Sequence, residues 1–311
     1  MISVIVPIYR NAASALALLE SLLRQRIPDD TSLEIVVVDD GSADGSTDLL
    51  REREGPGIRV VALPRNMGRA IARNAGAAHA GGEFLFFIDS DCRPEDQGFL
   101  AAHLHVLQGG AIASLGPVAI PGGGNAFWSR YQNEASDRRA RQHASGMPYS
   151  GSTANFAVRA DAYRQSGGFD ARYLAYGFED RDLLVRLSRL GRLDWCPEAR
   201  VTHADALTLN GVLEKMRTAA GASAILFSHD HAEAYRALGF AALDARLHPW
   251  LRPIAALASP MLRAAPLLDC LLGQRWIPHF LARPMVKVLV ALAYMQGTTL
   301  TPKRGQAPRP T

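Results

Sequence analysis

Residues 83–91 read EFLFFIDSD, an apolar run that ends in two aspartates separated by one residue. A continuous run of Phe, Leu and Ile is typical of a strand that is buried on both faces. Three earlier runs have the same character, and helical patterns separate them: SVIVPIY (3–9), LEIVVVDDGS (33–42) and IRVVAL (58–63). This alternation predicts an α/β fold, with a Rossmann-like, mostly parallel sheet flanked by helices.

Two of these runs end in acidic clusters, Asp39-Asp40-Gly41-Ser42 and Asp89-Ser90-Asp91. Ligands of parallel sheets bind at the carboxyl ends of the strands, so both clusters are candidates for one site. The first cluster can accept hydrogen bonds from a nucleobase or a ribose, although Asp and Ser equally build turns and cap helices. The second cluster offers the oxygen ligands that Mg²⁺ and Mn²⁺ prefer.

Two later motifs add candidates for chemistry. Glu179 and Asp180 begin an amphipathic helix. Acids at this position either interact favourably with the positive end of the helix dipole or provide a general base. His203 follows a short strand-like segment, and a single histidine is either structural or the third ligand of a metal held by Asp89 and Asp91.

Length and composition set the domain organisation. The chain has 311 residues, of which 48% are apolar and 21% charged, and its three cysteines are too far apart for a disulfide framework or a CxxC zinc site. The N-terminus has no basic segment of the secretory type, so we expect no cleaved signal. We predict a catalytic domain over 1–204, a helical region over 205–302 and a disordered tail over 303–311.

The C-terminal third is basic. Residues 1–204 carry a net charge of −2 and residues 205–311 carry +6, with Asp269 as the only acid after residue 245. The apolar runs of this region reach about ten residues and contain prolines, which is too short to span a bilayer. Interfacial helices on an anionic membrane are one interpretation, and a helical subdomain or a homodimer interface is the other. Apolar residues dominate the region, which argues against nucleic-acid binding.

Taken together and in order, the motifs are more specific than any one of them. They are the start ISVIVPIYRN, DDGS at 39–42, NMGRAIARNAG at 66–76, DSD at 89–91, GGFD at 167–170, GFEDRDL at 177–183 and PEARVTH at 197–203. This pattern resembles the bacterial, inverting, nucleotide-sugar-dependent family 2 glycosyltransferases with the GT-A fold, over residues 2–204. Arg10, between Tyr9 and Asn11, is a mild departure from the family pattern.

The resemblance implies a nucleotide-diphospho-sugar donor, most often a UDP-sugar, an Mn²⁺ or Mg²⁺ ion, and a glycan or lipid-linked acceptor hydroxyl. It implies a role for each matching residue. The donor would contact Pro7, Tyr9, Asn11, Asp39, Asp40, Asn66, Arg73 and Asp89. The metal would be held by Asp89, Asp91 and His203. Asp180 would be the general base, with Glu179 sharing the role or contacting the acceptor, and Asn155 and Arg159 would lie on the acceptor side.

Two further interpretations concern the type of reaction. A sugar nucleotidyltransferase would share the sheet and the metal carboxylates, but the Gly- and Arg-rich loop expected after its first strand is replaced here by Pro7-Ile8-Tyr9-Arg10-Asn11. Processive synthases of the resembled family carry QxxRW, whereas residues 274–276 read QRW without the spacer. We therefore expect a non-processive enzyme of cell-envelope or exopolysaccharide synthesis, in the cytoplasm and peripheral on the inner face of the membrane.

Overall fold

The structure is a computed structural model that describes residues 1–120, 126–203, 207–273 and 278–300. The chain divides into two compact units. The first comprises 1–121, 132–171 and 180–205, and the second comprises 122–131, 172–179 and 206–311. Two internal segments thus belong with the C-terminal helices, which the predicted boundary at 204 does not anticipate. The predicted tail (303–311) and the Gln274-Arg275-Trp276 motif lie outside the described residues.

The first unit contains a seven-stranded sheet and a three-stranded sheet. The strands in chain order are β1 (Ile2–Ile8), β2 (Leu33–Asp39), β3 (Ile58–Ala62), β4 (Phe84–Ile88), β5 (Cys92–Pro94), β6 (Ala113–Leu115), β7 (Val118–Ala119), β8 (Asn155–Arg159), β9 (Leu193–Trp195) and β10 (Val201–His203). The large sheet has the order β3-β2-β1-β4-β8-β6-β9, with β8 antiparallel to both of its neighbours and the other pairs parallel. The predicted mixed, mostly parallel sheet is confirmed.

Helices connect and cover these strands. In the N-terminal two thirds they are α1 (Ala12–Leu23), α2 (Ser46–Arg51), α3 (Arg69–His79), α4 (Phe99–Gln108), α5 (Ala126–Ala144), α6 (Ala160–Gln165) and α7 (Glu179–Ser188). The strands β1, β2 and β4 are almost completely buried, as expected for continuous apolar runs covered on both faces. Their carboxyl ends carry Tyr9, Asp40 and Asp89 at one edge of the sheet.

The three-stranded sheet determines the surroundings of the DSD motif. Its order is β5-β10-β7, and the antiparallel pairing of β10 with β5 places His203 opposite Cys92. Because β5 begins directly after Asp91, this register brings the end of β10 to the aspartates that follow β4. The small sheet therefore joins residues that are more than 100 positions apart in the chain.

A buried polar network connects α4 to β6 and β8. His103 is fully buried, and its Nδ1 and Nε2 lie 2.7 Å from the Ser114 hydroxyl and 2.8 Å from Asn155 Oδ1. Asn155 Nδ2 donates to the carbonyl oxygens of Pro117 and Ala199, so its Oδ1 must accept from His103. The network is thus satisfied by a neutral imidazole with its proton on Nε2.

The second unit is helical, which confirms the predicted C-terminal helical region. Its helices are α8 (Leu209–Thr218), α9 (Ala224–Asp230), α10 (Ala232–Ala237), α11 (Leu251–Leu257), α12 (Ser259–Arg263), α13 (Ala265–Gly273) and α14 (His279–Thr299), with a π-helical turn over Ala219–Ser223. Gly297 lets α14 approach α8 closely, since a Cβ there would lie 2.4 Å from the Arg217 carbonyl oxygen.

Among the described residues, no single helix is both long and apolar enough to cross a membrane. One pair of helical segments, Leu251–Arg263 and Ala265–Leu272, meets that criterion only when joined, and the two are bent by 57° at their junction.

We predict that His103 makes the stability of the protein depend on pH. Burial lowers the pKa of His103 to about 4, although the hydrogen bond that His103 donates to Asn155 raises it. Between pH 6.5 and 4 the unfolded chain therefore binds the proton more readily than the folded one, and stability falls as the pH falls, by about 3 kcal/mol over this window.

Urea unfolding between pH 7 and pH 4.5 tests this prediction. His103→Gln should lower stability at pH 7 and flatten the pH dependence, whereas His105→Gln, at an exposed position of the same helix, should leave the slope unchanged. An equal pH dependence in the wild type and His103→Gln would contradict the assignment.

Candidate active site

The loop after β2 is held by the first aspartate of its pair. Asp39 is fully buried, and its carboxylate accepts from the backbone N–H of Ser42 at 3.0 Å and from the Thr47 hydroxyl. Gly41 has φ 72°, and a Cβ there would lie 2.2 Å from the backbone carbon of Arg65. Only glycine fits this position, so the loop lies directly against the segment that precedes α3.

Asp40 orients the beginning of α3. Its two carboxylate oxygens accept from the backbone N–H groups of Met67 (2.7 Å) and Gly68 (2.9 Å). Burial raises the pKa of Asp40 above its usual value, and the two backbone donors offset this only in part. Each oxygen keeps a second lone pair for a ligand donor. Asn66, which precedes these residues, is exposed at the same edge.

The end of β1 presents an aromatic ring beside this loop. Tyr9 is 41% exposed, and the Arg10 guanidinium lies 5.0 Å from the centre of its ring. Arg10 has a left-handed backbone (φ 54°), which the hydrogen bond from its N–H to the Ser42 hydroxyl at 2.7 Å stabilises. Pro7 and Asn11, on either side, are half-buried.

The DSD motif forms a tight turn between β4 and β5. The backbone N–H of Cys92 donates to the Asp89 carbonyl at 2.9 Å. Asp91 Oδ2 lies 3.1 Å from His203 Nε2, and each of these side chains is about one-fifth exposed. Arg93 fixes the turn from outside by donating to the carbonyl oxygens of Ser90, Cys92 and Ser14. The structure thus brings together Asp91 and His203.

A buried arginine joins the DSD motif to the beginning of α7. Arg73, on α3, is 1% exposed, and its Nη2 donates to Asp89 Oδ1 at 2.7 Å while its Nη1 lies 3.5 Å from Asp180 Oδ1. Its guanidinium also lies 5.1 Å from the ring centre of Phe169. A guanidinium can serve two carboxylates at once because its donors form a rigid fork. Arg73 therefore fixes the distance between the two acidic positions.

Asp180 accepts hydrogen bonds from the loop that precedes β8. Ser152 Oγ and the backbone N–H of Thr153 donate to its Oδ2 at 3.0 and 3.1 Å, and the Thr153 hydroxyl donates to its Oδ1. Burial raises the pKa of Asp180, but the charge of Arg73 and the Thr153 donors more than compensate, so its pKa lies below the usual value. Asp180 is accordingly ionised at neutral pH, and its side chain remains 20% exposed.

Glu179 has a different environment from its neighbour. It is 3% exposed and follows Phe178, which is also buried and has φ 70°. This unusual conformation is held by packing, since the ring of Phe178 lies 5.0 Å from that of Phe227 and 4.9 Å from that of Phe240. Of the two acids, Asp180 is the more accessible to a substrate.

Two predicted acceptor residues need correction. Asn155 is fully buried, and its amide is engaged by His103, Pro117 and Ala199, so it holds the sheet together and is closed to a substrate. Arg159 pairs with Phe84, at the start of β4, because β8 runs antiparallel to β4. Its guanidinium lies near Glu83 and Asp161, at the edge of the sheet opposite the DSD motif.

The segment that contains these two residues nevertheless contributes to the site. Its hydroxyl residues Ser152 and Thr153, which sequence reasoning did not single out, are the ones that bind Asp180. The signal was the GST sequence directly before a strand. Antiparallel pairing places the start of β8 at the carboxyl end of β4, where the site lies.

Comparisons with known proteins agree with this geometry. Residues 3–167 match the family described as Glycosyl transferase family 2. The pre-mycofactocin glycosyltransferase of Mycobacterium tuberculosis is 34% identical over 65% of this chain and 42% of its own length. The undecaprenyl-phosphate 4-deoxy-4-formamido-L-arabinose transferase of Aeromonas hydrophila is 36% identical over 31% of each chain. This chain therefore spans less than half the length of these two relatives.

A solved structure extends the likeness of fold. The mannosyltransferase PcManGT from Pyrobaculum calidifontis, solved in complex with GDP-Man and Mn²⁺, superposes with a TM-score of 0.61 at 22% identity, covering 95% of this chain and 86% of that one. The family match covers more than half of the chain, from the first residues of β1 to the end of α6. This protein is a member of glycosyltransferase family 2.

Proposed function

We propose that the protein transfers a sugar from a nucleotide-diphospho-sugar to a hydroxyl of a glycan or lipid-linked acceptor, with inversion at the anomeric carbon. The observation that carries this proposal is the common edge of the sheet at which the DDGS loop, the DSD turn and Asp180 meet. Family membership and the donor and ion named for the mannosyltransferase structure support it. We place this activity in non-processive synthesis of envelope or extracellular glycans.

The donor would occupy the end of β1 and the adjoining loops. Tyr9 offers an exposed ring on which a nucleobase can stack. Asp40 has lone pairs left for a base N–H, and its contacts to Met67 and Gly68 keep it in place. Asp39 supports the loop from below, while Pro7, Asn11 and Asn66 border the same space. A uracil base is our working assignment.

A divalent cation fits the residues that follow β4. Asp91 and His203 are already adjacent, and carboxylate oxygen and imidazole nitrogen together suit Mn²⁺, with Asp89 next to them. Within the described part of the chain, no group of three or more His, Cys, Asp or Glu side chains forms a complete metal site. Donor oxygens and water would supply the remaining ligands, and the ion would neutralise charge on the departing nucleoside diphosphate.

Asp180 would be the general base. A single displacement needs a carboxylate on the acceptor side and no second carboxylate nucleophile, and Asp180 is ionised, partly exposed and fixed by four donors. These donors make it a weak base, so the proton would move late, once the acceptor oxygen has begun to bond to the anomeric carbon. Glu179, being buried, would support the start of α7.

We also propose peripheral contact with an anionic membrane surface, at the inner face of the cytoplasmic membrane. Of the 17 exposed large apolar side chains among the described residues, ten lie between Leu247 and Val288. The same region has Asp269 as its only acid, and that carboxylate accepts from Trp128 Nε1 and the backbone N–H of Leu209. An apolar surface with a basic margin is typical of interfacial helices.

The first prediction from this proposal concerns the metal and the donor. A UDP-sugar with Mn²⁺ should raise the unfolding temperature, since a ligand at 100 times its Kd adds about 2.7 kcal/mol of stability. Asp91→Asn should abolish this protection and His203→Gln should weaken it. Asp29→Asn, at an exposed position, should behave as the wild type.

Thermal unfolding with UDP-, GDP- and dTDP-sugars, each with Mn²⁺ or excess EDTA, measures this effect. The same experiment identifies the nucleobase of the donor. Equal protection in EDTA, or full protection of Asp91→Asn, would contradict the metal assignment.

The second prediction from this proposal concerns the general base. Asp180→Asn should lower kcat by about 10³-fold or more, because loss of a general base costs about 10²–10⁴-fold and the acceptor also loses its alignment. Donor binding in the presence of Mn²⁺ should persist. Glu179→Gln should retain more activity than Asp180→Asn.

The release of nucleoside diphosphate under saturating donor measures kcat, and calorimetry measures donor binding. An inactive Glu179→Gln together with an active Asp180→Asn would show that the two roles are reversed.

A further inference from the structure

A cavity in the second unit is lined by polar and apolar side chains that the proposed transfer reaction does not use. Its volume is about 720 Å³, and residues of α9, α11, α12 and the end of α14 line it. Among the described residues, the lining includes two arginines, Arg246 and Arg252, and several hydroxyl and amide side chains, but no carboxylate. A cavity of this size can hold a small polar group.

Arg246 is fixed in this cavity by a buried carboxylate. Its Nε and Nη2 donate to the two oxygens of Asp244 at 2.9 and 2.7 Å, and Asp244 is 1% exposed. Asp244 also accepts from the Tyr235 hydroxyl, which lies 2.7 Å from that of Tyr294. Burial raises the pKa of Asp244, but the contacts with Arg246 lower it by a larger amount. The pKa of Asp244 therefore lies below its usual value, and the carboxylate stays ionised. Such a support holds a guanidinium in one orientation.

Donors remain for a ligand after these bonds are counted. Within the described residues, Arg246 Nη1 and the guanidinium of Arg252 make no hydrogen bond. The Ser259 hydroxyl accepts from Gln296 Nε2 at 2.9 Å, and its own proton is unused in the same part of the chain. Because Asp244 balances Arg246, the net positive charge of the cavity comes from Arg252. Three donor groups in one cavity with a net positive charge suit a phosphate monoanion.

One of the helices that line the cavity, α11, also carries apolar side chains that face solvent. Arg252, Ala255 and Ala256 belong to α11, on which Ile254 is 40% and Leu257 is 78% exposed. Trp250, directly before this helix, is 65% exposed. A cavity whose lining offers guanidinium and hydroxyl donors, beside apolar side chains on the same short helix, matches a molecule with an anionic head and an apolar tail.

We propose that the Arg246–Arg252 cavity binds the phosphate of an anionic phospholipid headgroup while the exposed side chains of α11 enter the bilayer surface. The inference rests on the membrane contact proposed above, to which it adds a defined site. General attraction of Lys and Arg to an anionic surface needs no cavity and treats all exposed bases alike. A headgroup site makes Arg252 more important than other bases of the region.

Flotation with vesicles of phosphatidylglycerol and phosphatidylcholine tests the proposal in the full chain. Arg263→Gln is the matched control, since Arg263 is exposed on α12 and does not line the cavity. We expect Arg263→Gln to raise the apparent Kd about 5-fold, as for any surface base. Arg252→Gln should raise it more than about 20-fold, because a charged hydrogen bond is lost as well.

Two further measurements keep the test decisive. Arg246→Lys retains the charge opposite Asp244 but removes the guanidinium fork, and it should weaken flotation more than Arg263→Gln while keeping the unfolding temperature within a few degrees. Soluble dihexanoyl phosphatidylglycerol should raise the unfolding temperature of the wild type and Arg263→Gln but not that of Arg252→Gln.

The outcomes separate the possible failures. Equal flotation of Arg252→Gln and Arg263→Gln would overturn the cavity assignment and leave the membrane contact standing. Absence of flotation in the wild type would overturn both while leaving the transfer activity untouched. Equal stabilisation by inorganic phosphate and by the short-chain lipid would identify a free-anion site and overturn the assignment to lipid.

Discussion

The guanidinium of Arg73 is the constraint on which the arrangement of the site depends. It is almost completely buried and lies between two carboxylates, one from the turn after β4 and one from the first turn of α7. An isolated charge of this kind would be costly to bury, so the arginine and the acids require one another. Asp89 and Asp180, which we propose to lie on the donor and acceptor sides, are thereby held at a fixed separation before any substrate binds. Preorganisation of this kind lowers the cost of aligning a nucleophile with its target.

The sheet and the hydroxyl residues around it complete that constraint. Ser152 and Thr153 hold the Asp180 carboxylate by hydrogen bonds, and the pairing of β10 with β5 keeps His203 beside Asp91. The DDGS loop, which we propose to bind the donor, depends on the Gly41 turn, because this turn allows the loop to lie against the segment before α3. Each functional group is therefore held by backbone pairing or by a buried polar contact.

Much of the fold and part of the site could be predicted from the sequence because their signals are local. Apolar runs of four to seven residues identified β1 to β4, and the acids at their ends identified one edge of the sheet. Asp91 and His203 were grouped by ligand chemistry, and the structure shows them adjacent. The contacts of Arg73 with both Asp89 and Asp180 were not predictable, since no sequence periodicity shows which carboxylates a buried arginine will contact.

The incorrect acceptor residues have a definite physical origin. The family resemblance assigns the segment 151–163 to the acceptor side, but strand direction decides which of its residues lie near Asp180. Because β8 is antiparallel to β4, the site receives Ser152 and Thr153, whereas Arg159 lies at the opposite edge. In the second unit, composition predicted helices and a basic surface. The support of Arg246 by Asp244 and Tyr235 could not be read from it, because aromatic and acidic side chains at those spacings are equally typical of an ordinary core.

A double-mutant cycle tests the role of Arg73 most directly. The free energy of unfolding would be measured for Asp89→Asn, Asp180→Asn and the double variant, without ligands. Each single variant removes one of the two carboxylates that contact the Arg73 guanidinium, whereas the double variant removes both. The account predicts that the double variant is destabilised by about 1–3 kcal/mol more than the sum of the single variants, and that this excess disappears in an Arg73→Met background. Additivity within about 0.5 kcal/mol would contradict a shared guanidinium as the link between the two sides of the site.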